Sequence, residues 1–405
     1  MLPPATPIRA KPETSLMKWT DEAIQRTGKD LKQSRADIFF QVLDYRMLVP
    51  VLALVIIGLV VLNTVLAKGY GAVIFDYPMN FYKQIAAVLL GLVAAFTLCL
   101  FEPPTMRLIG GAVYVASLIL LLVVKIDGYR PVAGADSWIR IPLFGSFQPS
   151  ELSKIGVAMM TGPVFAAMKR GEMSAGQGFL RIGLLYGLPF LFIVTEPDLG
   201  TSLVLIFMFL CTTFVWGVRW RTIILAVTGT VFLVLPVSWQ FILNAAQKER
   251  IMTFLFRGYD KSASYHIEQS LAAVTSGGLA GNRTGVSVSV PVKESDFIFT
   301  AISEQLGLIG TSLVILLAVY FIAHTLRVAG KVAGRSPDES YIMVALIAGV
   351  AFHFIENIGM TVGLLPITGI PLPFISYGGS AMISNFLLLG VLLNYSLNHT
   401  ARLSL

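Results

Sequence analysis

Apolar and polar positions in this chain segregate into long blocks. Ten blocks of mostly uncharged residues run over 47–67, 84–101, 108–124, 152–168, 179–195, 201–218, 222–243, 308–326, 341–362 and 381–397. Each approaches the roughly 20 residues that a helix needs to cross a hydrocarbon core. The pattern predicts an all-α polytopic membrane protein with ten transmembrane helices, forming one unit over residues 46–400. Residues 1–45 read as a polar tail, extended at its start by Pro3, Pro4, Pro7 and Pro12, with a polar helix predicted over 18–32. The longest polar interval, 244–303, is predicted to be a large extracytoplasmic loop. Its piece around Glu249-Arg250-Ile251 reads as a short amphipathic helix.

Two further segments break the pattern. Residues 125–150 contain Gly134-Ala135-Asp136-Ser137-Trp138-Ile139 and end in Gln148-Pro149-Ser150-Glu151. Residues 364–379 are apolar but carry Pro366, Gly369, Pro371 and Pro373, which is too broken for a helix. Non-helical backbone at membrane depth persists only against protein or a wet cavity. That segment is therefore expected to line one.

Composition agrees with the blocks. The chain is 55% hydrophobic and 13% charged, whereas water-soluble domains carry about a quarter charged residues. The net charge of +7 reads as a topological signal rather than a nucleic-acid footprint, because basic residues collect in cytoplasmic loops. Eight Lys or Arg fall between Arg9 and Arg46, and Arg107, Lys169-Arg170, Arg219, Arg221, Arg327, Lys331 and Arg335 occupy the even-numbered turns. Both termini are thus expected in the cytoplasm, with no nucleic-acid partner. The polar first 45 residues do not read as a cleavable signal peptide. Cys99 and Cys211 both lie in apolar runs, so no disulfide framework is expected.

Candidate chemistry concentrates where the large loop meets the eighth span. Lys293, Glu294 and Asp296 crowd into four positions before the run Phe297-Ile298-Phe299. A carboxylate on such a border is either a solvated loop residue or a group whose pKa the half-dry setting can shift. Glu151 and Lys154, spaced i, i+3, share one face at the start of the fourth span. They present charge to an anionic substrate or form a structural ion pair. Asp198 either caps the sixth span or faces the same cavity. Glu356, inside the ninth span, is a functional suspect or a structural partner of Lys154 or Arg250. The glycines of Ser276-Gly277-Gly278-Leu279-Ala280-Gly281 predict a tight turn against another backbone or a phosphate. No Walker-type Gly-Lys-Ser/Thr motif supports ATP use. His266, His324, His353 and His399 have no metal-ligand spacing.

Taken together, several segments resemble the SEDS family (shape, elongation, division, sporulation), which comprises the RodA, FtsW and SpoVE proteins of bacteria. They are Gly134-Ala135 with Trp138-Ile139, Gln148-Pro149-Ser150-Glu151 with Lys154, and Pro197-Asp198-Leu199-Gly200. Further on come Ser276-Gly277-Gly278-Leu279, Asp296-Phe297-Ile298-Phe299 with Glu304 and Leu306-Gly307, and Gly369 to Pro373 with Ser376-Tyr377-Gly378-Gly379-Ser380. Tyr265-His266-Ile267 and Asn357-Ile358-Gly359-Met360 look closer to RodA. Asn282-Arg283, Glu304-Gln305 and Ser137 depart from the usual family residues.

The resemblance implies a peptidoglycan glycosyltransferase that polymerises lipid II at the outer face of the bacterial cytoplasmic membrane. It implies undecaprenyl pyrophosphate as leaving group and Asp296 as the catalytic carboxylate. Substrate contacts are expected from Glu151, Lys154, Asp198, Arg250 and Glu304. A divalent cation (Mg²⁺ or Mn²⁺), a class B penicillin-binding protein and other cell-wall synthesis proteins are expected as cofactor and partners, with the metal ligands unassigned. Two other functions compete: a transporter or flippase of lipid-linked precursors, favoured by the intramembrane charges, and a non-catalytic scaffold of the cell-wall machinery.

Overall fold

The computed structural model describes residues 40–67, 79–127, 137–141, 145–196, 198–241, 245–256, 261–282 and 287–403. The predicted polar helix over 18–32 and most of the tail lie outside the described residues, as do Gly134, Ala135 and Pro197. The described residues are mostly helical. Helices α1 (Tyr45–Ala67), α2 (Met79–Cys99) and α3 (Pro103–Asp127) lead into a hairpin of two short antiparallel strands, β1 (Ile139–Ile141) and β2 (Gly145–Phe147). Then come α4 (Pro149–Lys169), α5 (Ala175–Thr195), α6 (Leu199–Trp216), α7 (Trp220–Phe241), α8 (Ala245–Leu255) and α9 (Lys261–Ser276). Three helices close the chain: α10 (Ile298–Val332), α11 (Pro337–Thr361) and α12 (Gly379–Leu403).

Each predicted span falls on one of these helices, but eight of them are long and apolar enough to cross a membrane among the described residues. The two outside that set are α4, and α7 with its shorter apolar stretch. Helix α4 is less apolar because it is an interior helix. Ser150, Glu151, Ser153, Lys154 and Thr161 are all buried against protein, so its polar groups meet partners rather than lipid. Within the predicted large loop, the described residues include two helices, α8 and α9. The eighth span starts earlier than its apolar run, and α10 bends at Gly307, whose φ of 64° and ψ of −162° leave the helical region.

The core lies between α4, α11 and α12. Small residues let α4 approach α3 closely and α12 approach α2. A methyl group at Gly156 would lie 2.7 Å from the Tyr114 Cα, and one at Gly390 would lie 2.7 Å from the Ala95 Cα. At one end of the bundle, Arg107 and Arg170 both pair with Asp338, at 3.0 and 2.8 Å. Asp44 meets His324 and Ser396 at that same end. Asp296 lies at the opposite end, where Thr64 at the far end of α1 hydrogen-bonds Gln305.

Candidate functional site

The Pro/Gly segment after α11 is the hub of this end, and it can be followed residue by residue. The Thr368 hydroxyl donates to the buried Glu356 carboxylate. Gly369, at φ 76°, lies beside the Asp296 carboxylate; a methyl group there would sit 3.2 Å from Oδ2. The Ile370 side chain covers Gly200, and its carbonyl accepts from Asn357 Nδ2 at 2.8 Å. The Pro371 carbonyl faces His353 Nδ1 at 3.2 Å. The Leu372 N–H donates to Ser376 Oγ at 2.8 Å, and that hydroxyl donates to the Ser295 carbonyl at 2.7 Å. The Tyr377 N–H donates to the Glu294 carbonyl at 2.9 Å. Helix α2 joins through Gln84, which donates to the Ser376 carbonyl and accepts from the Gly378 N–H, each at 3.1 Å.

Asp296 sits half-buried in the turn leading into α10. Its Oδ1 accepts from Ser295 Oγ at 3.1 Å, and its carbonyl accepts from Asn357 Nδ2 at 2.7 Å. The two acceptors of Asn357 are carbonyls, so its NH₂ must face them and the amide orientation is fixed. Among the described residues, positive φ outside glycine occurs at Val292 (53°) and Phe374 (64°). Both lie in the two segments that meet around Asp296. A β-branched residue there is strained, and such strain clusters at functional sites when the surroundings enforce it. Phe374 is enforced by packing against Phe321 and Phe386.

A buried ion pair latches the approach to Asp296. Lys293 Nζ contacts Glu304 and donates to the Val288 carbonyl at 3.0 Å and Ser287 Oγ at 3.1 Å. Glu304 also accepts from the Val288 N–H at 2.8 Å and from Ser287 Oγ at 3.1 Å. Residues 287–293 are thereby sewn onto α10. Glu304, a substrate contact by sequence, is engaged inside the protein. Behind it, the glycine turn after α9 packs on backbone, which decides between the two readings of those glycines. A methyl group on Gly277 or Gly281 would strike the Ser303 or Gln305 carbonyl. Leu308 and Ile309 N–H donate back to the Gly278 and Leu279 carbonyls.

A second buried cluster stands on the other side of the hub. Lys154 Nζ donates to Glu151 Oε1 at 2.8 Å and meets His353 Nε2 at 2.8 Å. They line a small cavity with Ser384 and Asn385. Glu356 takes the Thr368 hydroxyl, and Lys154 turns instead to Glu151 and His353. Asp198 does cap α6, accepting from the Thr201 N–H at 2.9 Å, and Gln148 Nε2 donates to its other oxygen at 2.9 Å. Burial raises the Asp198 carboxyl above the usual carboxylate range; the Thr201 hydrogen bonds oppose this, the nearby Glu151 charge adds to it and Lys154 opposes it. Burial, with Glu294 beside it, likewise raises the Tyr377 phenol. Arg250 lies on α8, and its side chain is outside the described residues.

Asp296, Glu151, Lys154 and Asp198 therefore share one end and meet through the segment 368–372. Sequence reasoning missed His353 and Asn357 as organisers. With Glu356 they occupy positions i, i+3 and i+4 on one face of α11, which was the readable signal. Among the described residues, no three His, Cys, Asp or Glu side chains gather as a metal site.

Comparisons with known proteins show what the chain as a whole is similar to. The family model for FtsW, RodA and SpoVE, described as cell cycle protein, matches residues 45–401. The peptidoglycan glycosyltransferase MrdB of Escherichia coli K12 is 30% identical over 351 residues, covering 84% of this chain and 90% of that protein. Stage V sporulation protein E of Bacillus subtilis is 34% identical over 367 residues, covering 86% and 97%. Among solved structures, a chain from a peptidoglycan synthase complex that coordinates polymerization and crosslinking superposes with a TM-score of 0.73 at 26% identity, over 88% of this chain and 98% of that one. The rod shape determining protein RodA of Thermus thermophilus superposes with a TM-score of 0.63 at 24% identity, over 87% and 96%, a likeness of fold.

Proposed function

The chain belongs to the FtsW, RodA and SpoVE family, and on that premise we propose that it is a peptidoglycan glycosyltransferase that polymerises lipid II. The observation that carries the reading is Asp296. It is a half-exposed carboxylate at the polar mouth of an apolar helix, held from behind by Asn357 and flanked by a Pro/Gly segment.

In the proposed reaction Asp296 accepts the proton of the acceptor GlcNAc 4-hydroxyl as that oxygen attacks C1 of the donor MurNAc. The bond from C1 to the pyrophosphate oxygen breaks and undecaprenyl pyrophosphate leaves with the electron pair. A sugar hydroxyl is a very weak acid and needs such a positioned base. One displacement inverts C1, turning an α-linked donor into a β-1,4 linkage. Arg250 is assigned to the charge on the leaving group. Lys154 is assigned to positioning, because its ammonium is already shared between Glu151 and His353. Glu304 is assigned to holding the loop, and Asp198 to capping α6 beside the site.

Among the described residues, no cluster of His, Cys, Asp and Glu forms a metal cage. A requirement for Mg²⁺ or Mn²⁺ remains part of the proposal; such an ion neutralises a pyrophosphate and takes most of its ligands from phosphate oxygens and water. The proposed setting is the bacterial cytoplasmic membrane, with Asp296 outside and both termini inside. Arg107, Arg170, Arg327 and Arg335 at the opposite end support that orientation. A class B penicillin-binding protein is the proposed partner for crosslinking.

The test is strand formation from labelled lipid II in liposomes, with Mn²⁺ or Mg²⁺ and with or without a class B partner. Wild type should make long strands and Asp296→Asn none, with both inserted equally. Strands from both would move the chemistry to Glu151 or Asp198. Strands from neither, even with the partner, would favour a lipid-linked precursor transporter and call for a translocation assay.

A further inference from the structure

His353 is a lone histidine in an apolar helix, with no metal-ligand spacing around it. Its surroundings fix its chemistry. It is 6% exposed, and both ring nitrogens are engaged. Nδ1 faces the Pro371 carbonyl, which only accepts, so Nδ1 carries the proton. Nε2 faces the Lys154 ammonium, which only donates, so Nε2 presents its lone pair. The ring is therefore neutral and in one tautomer, a rigid connector between α4 and the Pro/Gly segment.

That connector lies on a continuous route. Glu151 holds Lys154, Lys154 holds His353, His353 holds the Pro371 carbonyl, and Ile370 and Gly369 come next along the chain. Gly369 lies against the Asp296 carboxylate and the Ile370 carbonyl shares Asn357 with the Asp296 carbonyl. We propose that His353 is a positioning residue: through the Pro371 carbonyl it ties the buried Glu151–Lys154 pair to the segment that seats Asp296. The proposal rests on the polymerase reading of this site. The Glu151–Lys154 pair then acts on the reaction through His353 rather than by touching substrate.

Glutamine separates this role from mere space-filling. Its NH₂ donates to a carbonyl and its oxygen accepts from an ammonium, so His353→Gln preserves both links, whereas His353→Leu fills the space and breaks both. Misplacing a catalytic group by about 1 Å costs on the order of 100-fold in rate. His353→Leu should thus lower kcat by about 10- to 100-fold with KM changed by less than about threefold, and His353→Gln should stay within about threefold of wild type. Lys154→Met added to His353→Leu should lower kcat by less than the product of the two single effects, because both cut one route.

The experiment measures initial rates of strand formation against lipid II concentration for wild type, His353→Leu, His353→Gln, Lys154→Met, the Lys154→Met and His353→Leu double variant, and Asp296→Asn. Alongside it, nitrogen NMR of protein labelled at histidine identifies the His353 signal by its loss in His353→Gln. A signal typical of protonated Nδ1 with bare Nε2, and rescue by glutamine, are the expected results. A signal typical of protonated Nε2, a glutamine variant as slow as leucine, or a leucine variant as fast as wild type would overturn the proposal. An inactive wild type with the Nδ1–H signal present would instead reject the polymerase reading and, with it, the positioning role, while leaving the structural link in place.

Discussion

Asn357→Leu is the sharpest test of how Asp296 is held. Leucine has nearly the shape of asparagine but no donor, so two carbonyls lose their partner at once: Ile370, in a buried bond of 2.8 Å, and Asp296, in a partly buried bond of 2.7 Å. An orphaned buried carbonyl costs about 1–3 kcal/mol. Water can reach the Asp296 carbonyl in part, and leucine gains some apolar burial, so the net loss is about 2–3 kcal/mol. The molecule supplies its own control. Asn394, at the other end of the bundle, makes the same pair of bonds, to the Leu98 carbonyl at 2.9 Å and the Phe101 carbonyl at 2.7 Å. Asn394→Leu also strips a partner from Asn398, so it should destabilise at least as much. Thermal unfolding of purified protein and strand formation well below the melting range separate the two effects. Both variants should melt lower than wild type, but Asn357→Leu alone should lose activity, by about 10- to 100-fold. Equal loss of activity in both, or none in Asn357→Leu, would refute the claim that α11 seats Asp296.

The remaining predictions concern the frame. Glu304→Gln keeps an acceptor for the Val288 N–H but strands the buried Lys293 charge, and should cost about 2–4 kcal/mol in a thermal melt; Lys293→Met added to it should recover most of that loss. Gly307→Ala places a methyl group 2.5 Å from the Gly281 nitrogen at a φ of 64°, a conformation essentially reserved for glycine, so it should cost about 3 kcal/mol or more and lower the yield of folded protein. Asp198 carries a raised carboxyl, so its favourable contribution is complete below the ordinary carboxylate range and is lost as pH rises through the raised value. Asp198→Asn keeps a good helix cap and should therefore flatten the fall in melting temperature as pH rises above the ordinary Asp value; an unchanged slope would contradict the assignment.

Much of this architecture is written in the apolar blocks. They place a helix at every predicted span, because length and lack of charge leave few alternatives in lipid. The broken segment 364–379 was legible as irregular backbone against protein, and it became the hub of the site. What escaped reading shares one cause: long-range pairing. Helix α4 looks poorly apolar until α11 and α12 bury its charges. The early start of α10 is hidden because Glu304 and Gly307 interrupt the apolar run, and only the Lys293 pair and the glycine turn of α9 explain them. His353 and Asn357, beside the suspect Glu356, look like scattered polar residues in a span. They become a face once the segment 368–371 is known to lie against them. The hairpin β1–β2 carries only three residues per strand, too few for an alternating pattern to register.

The measurement that bears most directly on the central claim is release of undecaprenyl pyrophosphate from lipid II by wild type and Asp296→Asn, purified in parallel and matched for melting temperature. Wild type should release it in step with strand growth, and the variant should fall to the level of a protein-free control. Release by Asp296→Asn at the wild-type rate would contradict it, leaving Asp296 as a loop carboxylate beside a site whose base lies elsewhere.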